Sequence, residues 1–259
     1  TQLEAQGIEL IQGYGPEQVS LNPDLYVVGN VMTRGNPLIE EILNRGLPYT
    51  SGPQWIGEHI LREKWVLAVA GTHGKTTTST LVAWLLHASQ TDPSWLIGGV
   101  PENLPQASHL GEGKAIVLEG DEYDTAFFDK ESKFLHYQPH RAILTSVEFD
   151  HADIFDDIEQ VRAAFRKFVE LIPEDGDLVV HRDDSEAMGI AAHAKAKVTT
   201  YRVLPDHDED VRSADYAVKV LRAGSSRRMD FEIYERGENL GRFSTSMSGR
   251  YNLANIAAA

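Results

Sequence analysis

Cysteine is absent from the sequence. That excludes a disulfide framework, a cysteine-based zinc site and a thiol nucleophile, and it fits a reducing compartment. Long apolar runs are missing too: no stretch approaches the length needed to span a bilayer, and no signal-peptide pattern opens the chain. Basic charge is scarce. Lys and Arg together number 24 against 39 Asp and Glu, a formal net charge of -15, which argues against a general nucleic-acid or anionic-membrane surface. A soluble, cytoplasmic protein is expected. Small anions can still be held locally by a lysine and a divalent cation. There is no internal repeat and no low-complexity tract. What the chain does have is 42% hydrophobic residues over 259 positions, enough for a substantial core divided into more than one domain.

The opening segment alternates short strands and helices: GIELIQG and DLYVVGN read as strands, NPLIEEILNRG as an amphipathic helix, LPYTSGP as a third strand. Such alternation predicts a small parallel α/β unit. GPQWIGEHILREK reads as a helix leading out of it, so a boundary is expected near Lys64, giving domains 1–64 and 65–259. Beyond it, apolar strands in WLIGGV, AIVLEGDEYD, RAILTSVEFDHADIF, DLVVH and KVTTYRV alternate with helices over 158–172 and 184–196. This rhythm predicts a doubly wound parallel sheet, whose ligands gather at the carboxyl ends of the strands. Residues 216–246 change to period-two alternation broken by AGSSRR and RGEN, the mark of added antiparallel hairpins. LPDHDEDVRSAD reads as a solvated acidic loop. TQLEAQGIEL begins without Met and NLANIAAA ends within a helix pattern, so the chain is expected to be part of a longer protein.

The chemistry concentrates in VAGTHGKTTTSTLV, residues 69–82. Strand Trp65–Ala70 runs into a glycine-bearing turn and then a helix over 76–87, with Leu81, Val82, Leu85 and Leu86 at helical spacing. In such a turn, backbone N–H groups converge on an anion, the helix N-terminus adds positive potential, and a lysine reaches the outer phosphates. Lys75 is that lysine, and the Thr76 hydroxyl would sit on Mg²⁺. Val69 stands where the strict G-x-x-x-x-G-K-[ST] pattern has glycine, so only the G-K-T half matches. Lys75→Ala is expected to leave folding nearly untouched and to lower turnover by orders of magnitude.

AIVLEGDEYD puts Glu119 at a strand end, where a phosphate-loop enzyme needs a carboxylate for Mg²⁺. Glu119, Asp121, Glu122 and Asp124 crowd one turn and would repel one another unless a cation or hydrogen-bond donors compensate. RAILTSVEFDHADIF repeats the pattern with Glu148, Asp150, His151 and Asp153. There His151 could reach a second divalent ion or a substrate oxyanion. Asn252 and Asn255 stand three apart and share a helix face. Asn252 has a capping role open to it; Asn255 lies too deep for that, so amides aimed at a nucleotide become plausible.

Taken together, these pieces resemble the Mur ligases, the ATP-dependent amide-forming enzymes of peptidoglycan metabolism. The family's loop G-T-x-G-K-[TS]-T matches GTHGKTT at 71–77, its central glutamate matches Glu119, its histidine His151, and its N-x-x-N Asn252 and Asn255. GTHGKTTT resembles the branch that acts on UDP-N-acetylmuramate itself. DEYDTAFFDKESKFLHYQP and VEFDHADIFDD look like the member that joins a recycled tripeptide, L-alanyl-γ-D-glutamyl-meso-diaminopimelate, rather than the one that adds L-alanine.

The resemblance implies an incomplete Rossmann-like N-terminal domain, a P-loop central domain, and a C-terminal domain beyond this chain, so that the fragment alone is expected to be inactive. It also implies a bacterial, cytoplasmic ligase that activates the lactyl carboxylate as an acyl phosphate. Gly71, Thr72, His73, Gly74, Lys75, Thr76, Thr77, Asn252 and Asn255 would contact ATP. Thr76, Glu119 and His151 would hold Mg²⁺, with Lys75, Glu119 and His151 catalytic. Asn30, Thr33, Arg34, Asp121 and Glu122 are the candidates for UDP-N-acetylmuramate. A regulatory GTPase would need D-x-x-G and [NT]-K-x-D, which are absent from the sequence. A folate polyglutamylating ligase has no reason to carry the DEYDTAFFDK run. A non-catalytic nucleotide-binding or UDP-sugar-binding module is the alternative from another class.

Overall fold

The computed structural model describes residues 2–150, 155–222 and 228–259. After a short helix α1 (Gln2–Ala5) the chain runs to a 3₁₀ turn at Pro16–Leu21. The run GIELIQG, expected as a strand, forms none. Ile8, Leu10 and Ile11 are exposed, so the apolar alternation that suggested a strand buries nothing. Strand β1 (Tyr26–Val28), helix α2 (Pro37–Asn44), strand β2 (Tyr49–Ser51) and helix α3 (Gly52–His59) follow. Asn36 caps α2 by accepting from the backbone N–H groups of Leu38 and Ile39, with Pro37 at the first helical position, where a missing N–H costs nothing. The parallel β1–β2 pair and these helices form a small unit.

A second, larger sheet begins at β3 (Trp65–Ala70), which feeds helix α4 (Lys75–Ala88). The sheet continues with β4 (Ser94–Leu96), β5 (Ser108–His109) and β6 (Ala115–Gly120). A hairpin of β7 (Asp124–Ala126) and β8 (Asp129–Ser132) then leads to a 3₁₀ turn at Lys133–His136. Next come β9 (Arg141–Leu144), α5 (Ile158–Glu170), β10 (Asp177–His181), α6 (Ser185–Ala191) and β11 (Lys197–Val203). Strands β12 (Tyr216–Arg222), β13 (Met229–Glu235) and β14 (Glu238–Thr245) precede α7 (Arg250–Ala258).

Among the described residues the large sheet has ten strands in the order β14-β13-β12-β11-β10-β9-β3-β6-β4-β5. It is parallel from β12 to β4, with β13, β14 and β5 antiparallel to their neighbours. The expected hairpins thus extend one edge; β5 and the separate β7–β8 hairpin had no clear sequence signal. Alternate residues of the central strands feed two cores. Val66, Ala68 and Ala70 of β3 pack with Phe165, Phe168 and Ile190 from α5 and α6, whereas Val69 packs with Val82 and Ala83 of α4 and Ala258 of α7. Helices on both faces explain why these strands read as continuous apolar runs. The chain leaves β3 toward β6 on one side and returns to β9 on the other, so the carboxyl ends of β6, β3 and β9 frame a topological switch point. No helix of the described residues is long and apolar enough to cross a membrane.

Candidate active site

The loop between β3 and α4 fills that switch point. Gly71 adopts φ 133° and Gly74 φ 85°, a region that glycine enters without steric cost. A Cβ on Gly74 would lie 2.6 Å from Asn255 Oδ1, and one on Gly71 would lie 2.2 Å from Thr145 Oγ1; both glycines are required by close approach as well as by φ. The loop is braced from the neighbouring strand. The Thr145 hydroxyl, just past β9, donates to the His73 carbonyl at 2.6 Å, and the His73 N–H donates to Ser146 Oγ at 3.1 Å. The Thr72 N–H reaches the Ser146 carbonyl at 2.9 Å, and the Glu148 N–H reaches Thr72 Oγ1 at 2.9 Å. Thr145 and Ser146 escaped notice in the sequence, although their signal was present as hydroxyls directly after an apolar strand in RAILTSVEFD.

Lys75 opens α4. Its ammonium donates to the Gly71 carbonyl at 2.7 Å and to Glu122 Oε1 and Oε2 at 3.1 and 2.8 Å. Glu122, expected at the substrate, is 2% exposed and pairs with Lys75. Burial of that carboxylate calls for a paired cation, and Lys75 supplies one. Beside it the Thr76 hydroxyl donates to Glu119 Oε1 at 2.6 Å, and Glu119 Oε2 accepts from the Gly98 N–H at 2.6 Å. Thr77 lies one residue further into α4 and is half-buried.

A cleft of about 410 Å³ opens on these groups, lined by Thr72, Lys75, Gly98, Glu119, Asp121 and Lys133 among others. Asp121 takes the Lys133 ammonium at 2.7 Å. Burial, followed by the charges of Asp121 and Glu119, pushes the Tyr137 hydroxyl on the same cleft above the ordinary phenol range. On the other side of the loop lies a second cleft of about 500 Å³, reaching from His73 and Gly74 to His181, Tyr201, Tyr251 and Asn255. Burial lowers the His181 imidazole from its ordinary value, with the charge of Asp183 acting in the opposite sense. Asn252 and Asn255 are joined at 3.5 Å, Nδ2 of Asn255 donating to Oδ1 of Asn252. Gly249, not Asn252, caps α7, and the Asn252 amide donates to the Ser248 carbonyl at 2.7 Å.

The first-unit candidates separate. Asn30 lines a third cleft, shared with Gly29, Gly52, Ile56, Lys133 and Tyr137. Thr33 and Arg34 lie in the exposed turn that follows, where Arg34 is held by Glu40 at 2.9 and 3.0 Å. The Arg34 guanidinium, followed by the Gly35 N–H, draws the Glu40 carboxyl down to about 2. His151 and Asp153 fall outside the described residues.

Glycines at the loop and a lysine at the helix start suit a polyphosphate. Thr76 and Glu119 offer hard oxygens side by side, which suits Mg²⁺. Among the described residues no group of three His, Cys, Asp or Glu could hold a metal alone; Mg²⁺ bound through one or two protein oxygens, phosphate and water is the ordinary arrangement for such sites.

Residues 69–259 match the Mur ligase middle domain and residues 1–64 the Mur ligase family, catalytic domain. The chain belongs to the Mur ligase family. It is 42% identical over 266 aligned positions to the UDP-N-acetylmuramate–L-alanyl-γ-D-glutamyl-meso-2,6-diaminoheptandioate ligase of Escherichia coli, covering 100% of this chain and 55% of that protein. Against the UDP-N-acetylmuramate–L-alanine ligase of a Geobacter species identity is 32%, over 99% of this chain and 52% of the relative. The crystal structure of the UDP-N-acetylmuramate:L-alanyl-γ-D-glutamyl-meso-diaminopimelate ligase from Neisseria meningitides superposes with TM-score 0.88 at 38% identity, covering 99% of this chain and 79% of that one. The chain thus spans about half the length of the curated relatives it matches.

Proposed function

We propose that the intact protein is an ATP-dependent ligase that joins L-alanyl-γ-D-glutamyl-meso-diaminopimelate to UDP-N-acetylmuramate, a murein peptide ligase of the bacterial cytoplasm. The observation that carries the reaction class is the Thr76–Glu119 pair beside Lys75, facing a cleft that Lys133 and Tyr137 share with the first unit. In this reading the first unit delivers a carboxylate, and the loop delivers the γ-phosphoryl group that activates it as an acyl phosphate with release of ADP; the acceptor amine then attacks the acyl carbon, losing a proton and expelling inorganic phosphate. Carboxylate, ATP and acyl phosphate are all anionic, so the work of the site is to bring like charges together. Lys75 stabilises the moving charge, and Thr76 and Glu119 would hold a Mg²⁺ ion that would add to it, each effect worth several kcal/mol in the transition state. His151 would serve a second Mg²⁺, Asn252 and Asn255 the nucleotide, and Asn30 the UDP-sugar.

The choice of acceptor rests on the higher identity to the tripeptide ligase, 42% against 32% for the L-alanine ligase. ADP release by the full-length protein with UDP-N-acetylmuramate, comparing L-alanine with the tripeptide, tests it. Turnover with L-alanine alone would overturn the acceptor and keep the reaction class. ADP release independent of the UDP-sugar would overturn both.

A further inference from the structure

Lys133 stands where two clefts meet. It lines the loop-side cleft with Lys75 and Glu119, and the cleft at the end of β1 with Gly29 and Asn30. Its position is fixed by its surroundings. The Lys133 N–H donates to the Tyr123 carbonyl at 3.0 Å, closing the β7–β8 hairpin, and the next residue, Phe134, is fully buried. The 3₁₀ turn that Lys133 opens also touches the first unit: a Cβ on Gly57 of α3 would lie 2.6 Å from the His136 carbonyl. The stem is largely covered, with the side chain 21% exposed and its ammonium 2.7 Å from Asp121 and 5.8 Å from the Tyr123 ring centre.

Charge gives that placement a purpose. The loop-side cleft carries Glu119, Asp121 and Asp150, so an incoming carboxylate meets like charge. Lys75, which lines the same cleft, already donates to Glu122 and to the Gly71 carbonyl. An ammonium has three donors, Asp121 accepts from that of Lys133 at 2.7 Å, and Lys133 lines both clefts.

Resting on the ligase reading above, we propose that Lys133 binds the carboxylate of the UDP-sugar that is to be phosphorylated, and so selects substrates that carry one. The diphosphate of the same ligand is the competing anion. The carboxylate is favoured because the reacting group, unlike the diphosphate, must enter the cleft that holds Lys75 and Glu119.

The test uses the full-length protein, with Lys133→Met and Lys133→Arg, and measures both binding and steady-state turnover. For Lys133→Met, the dissociation constant and KM for UDP-N-acetylmuramate rise about tenfold, while KM for ATP stays within about twofold, as expected from losing one charge-assisted hydrogen bond. Lys133→Arg recovers most of the loss. UDP-N-acetylglucosamine, which has the diphosphate without the lactyl carboxylate, binds wild type and Lys133→Met alike. Equal weakening for both UDP-sugars places the lysine on the diphosphate and overturns the carboxylate role, as does unchanged affinity for UDP-N-acetylmuramate or a parallel rise in KM for ATP. Failure of the wild-type protein to bind UDP-N-acetylmuramate overturns the ligase reading itself, a result distinct from a normal wild type with an indifferent Lys133→Met.

Discussion

The Lys75 ammonium and the Glu122 carboxylate form a buried pair, 2.8 Å apart, with the two side chains 13% and 2% exposed. Removing the cation takes the lysine partner from a carboxylate that is 2% exposed, so an effect on folding is predicted, against the expectation that Lys75→Ala would leave folding nearly untouched. Lys75→Ala should cost about 3 kcal/mol of stability. Adding Glu122→Gln should return more than half of it in urea unfolding of this chain, while both variants of the intact ligase lose turnover by orders of magnitude. Near-normal ADP release by Lys75→Ala would remove the lysine from the reaction.

Glu119 links the Thr76 hydroxyl to the Gly98 N–H. Glutamine retains an acceptor for either donor but not the charge that attracts a divalent ion. For Glu119→Gln the Mg²⁺ concentration giving half-maximal ADP release should rise about tenfold or more, the scale of losses from weakening a metal site. An unchanged Mg²⁺ titration would show that Glu119 is not a ligand.

Gly74 combines φ 85° with an Asn255 amide oxygen 2.6 Å from where a Cβ would stand. Gly74→Ala should destabilise the chain by about 1–2 kcal/mol from the backbone conformation alone and weaken binding of a fluorescent ATP analogue. In the Asn255→Ala background the clash is relieved and the φ cost persists, so the second substitution should restore only part of the loss. Full restoration would mean that φ is not the constraint.

His181 is held below its ordinary value of 6.5 chiefly by burial, so the folded state favours the neutral ring. The unfolded chain then binds the proton more readily, and stability falls as pH drops through 6.5 toward the lower folded value. Thermal melts at pH 7.5 and 5.5 should show a larger acid loss for wild type than for His181→Gln. Equal losses would indicate that the imidazole is solvated when folded.

The parts of the site that the sequence revealed are local. Lys75 and Thr76 follow from a strand, a turn and a helix in one continuous stretch, and Glu119 from its place at the end of an apolar strand. Lys133 and Tyr137 were hidden because a hairpin and a 3₁₀ turn return them to the cleft, and nothing in DKESKFLHY has a period that announces this. For Glu122 the sequence showed that a crowded run of carboxylates needs a cation or donors, but not that Lys75, 47 residues away, pairs with this one. GIELIQG failed as a strand because alternation signals a strand only where another strand and a core await it.

The hydroxyls of Thr145 and Ser146, just past the adjacent strand β9, hold the backbone carbonyl and N–H of His73, which makes the glycine loop a two-segment object. Transplanting GTHGKTT into a foreign scaffold would carry the glycines and the lysine but leave the brace behind. The smallest transferable unit is therefore β3 and the loop together with β9 and the chain through Glu148, matched in parallel register.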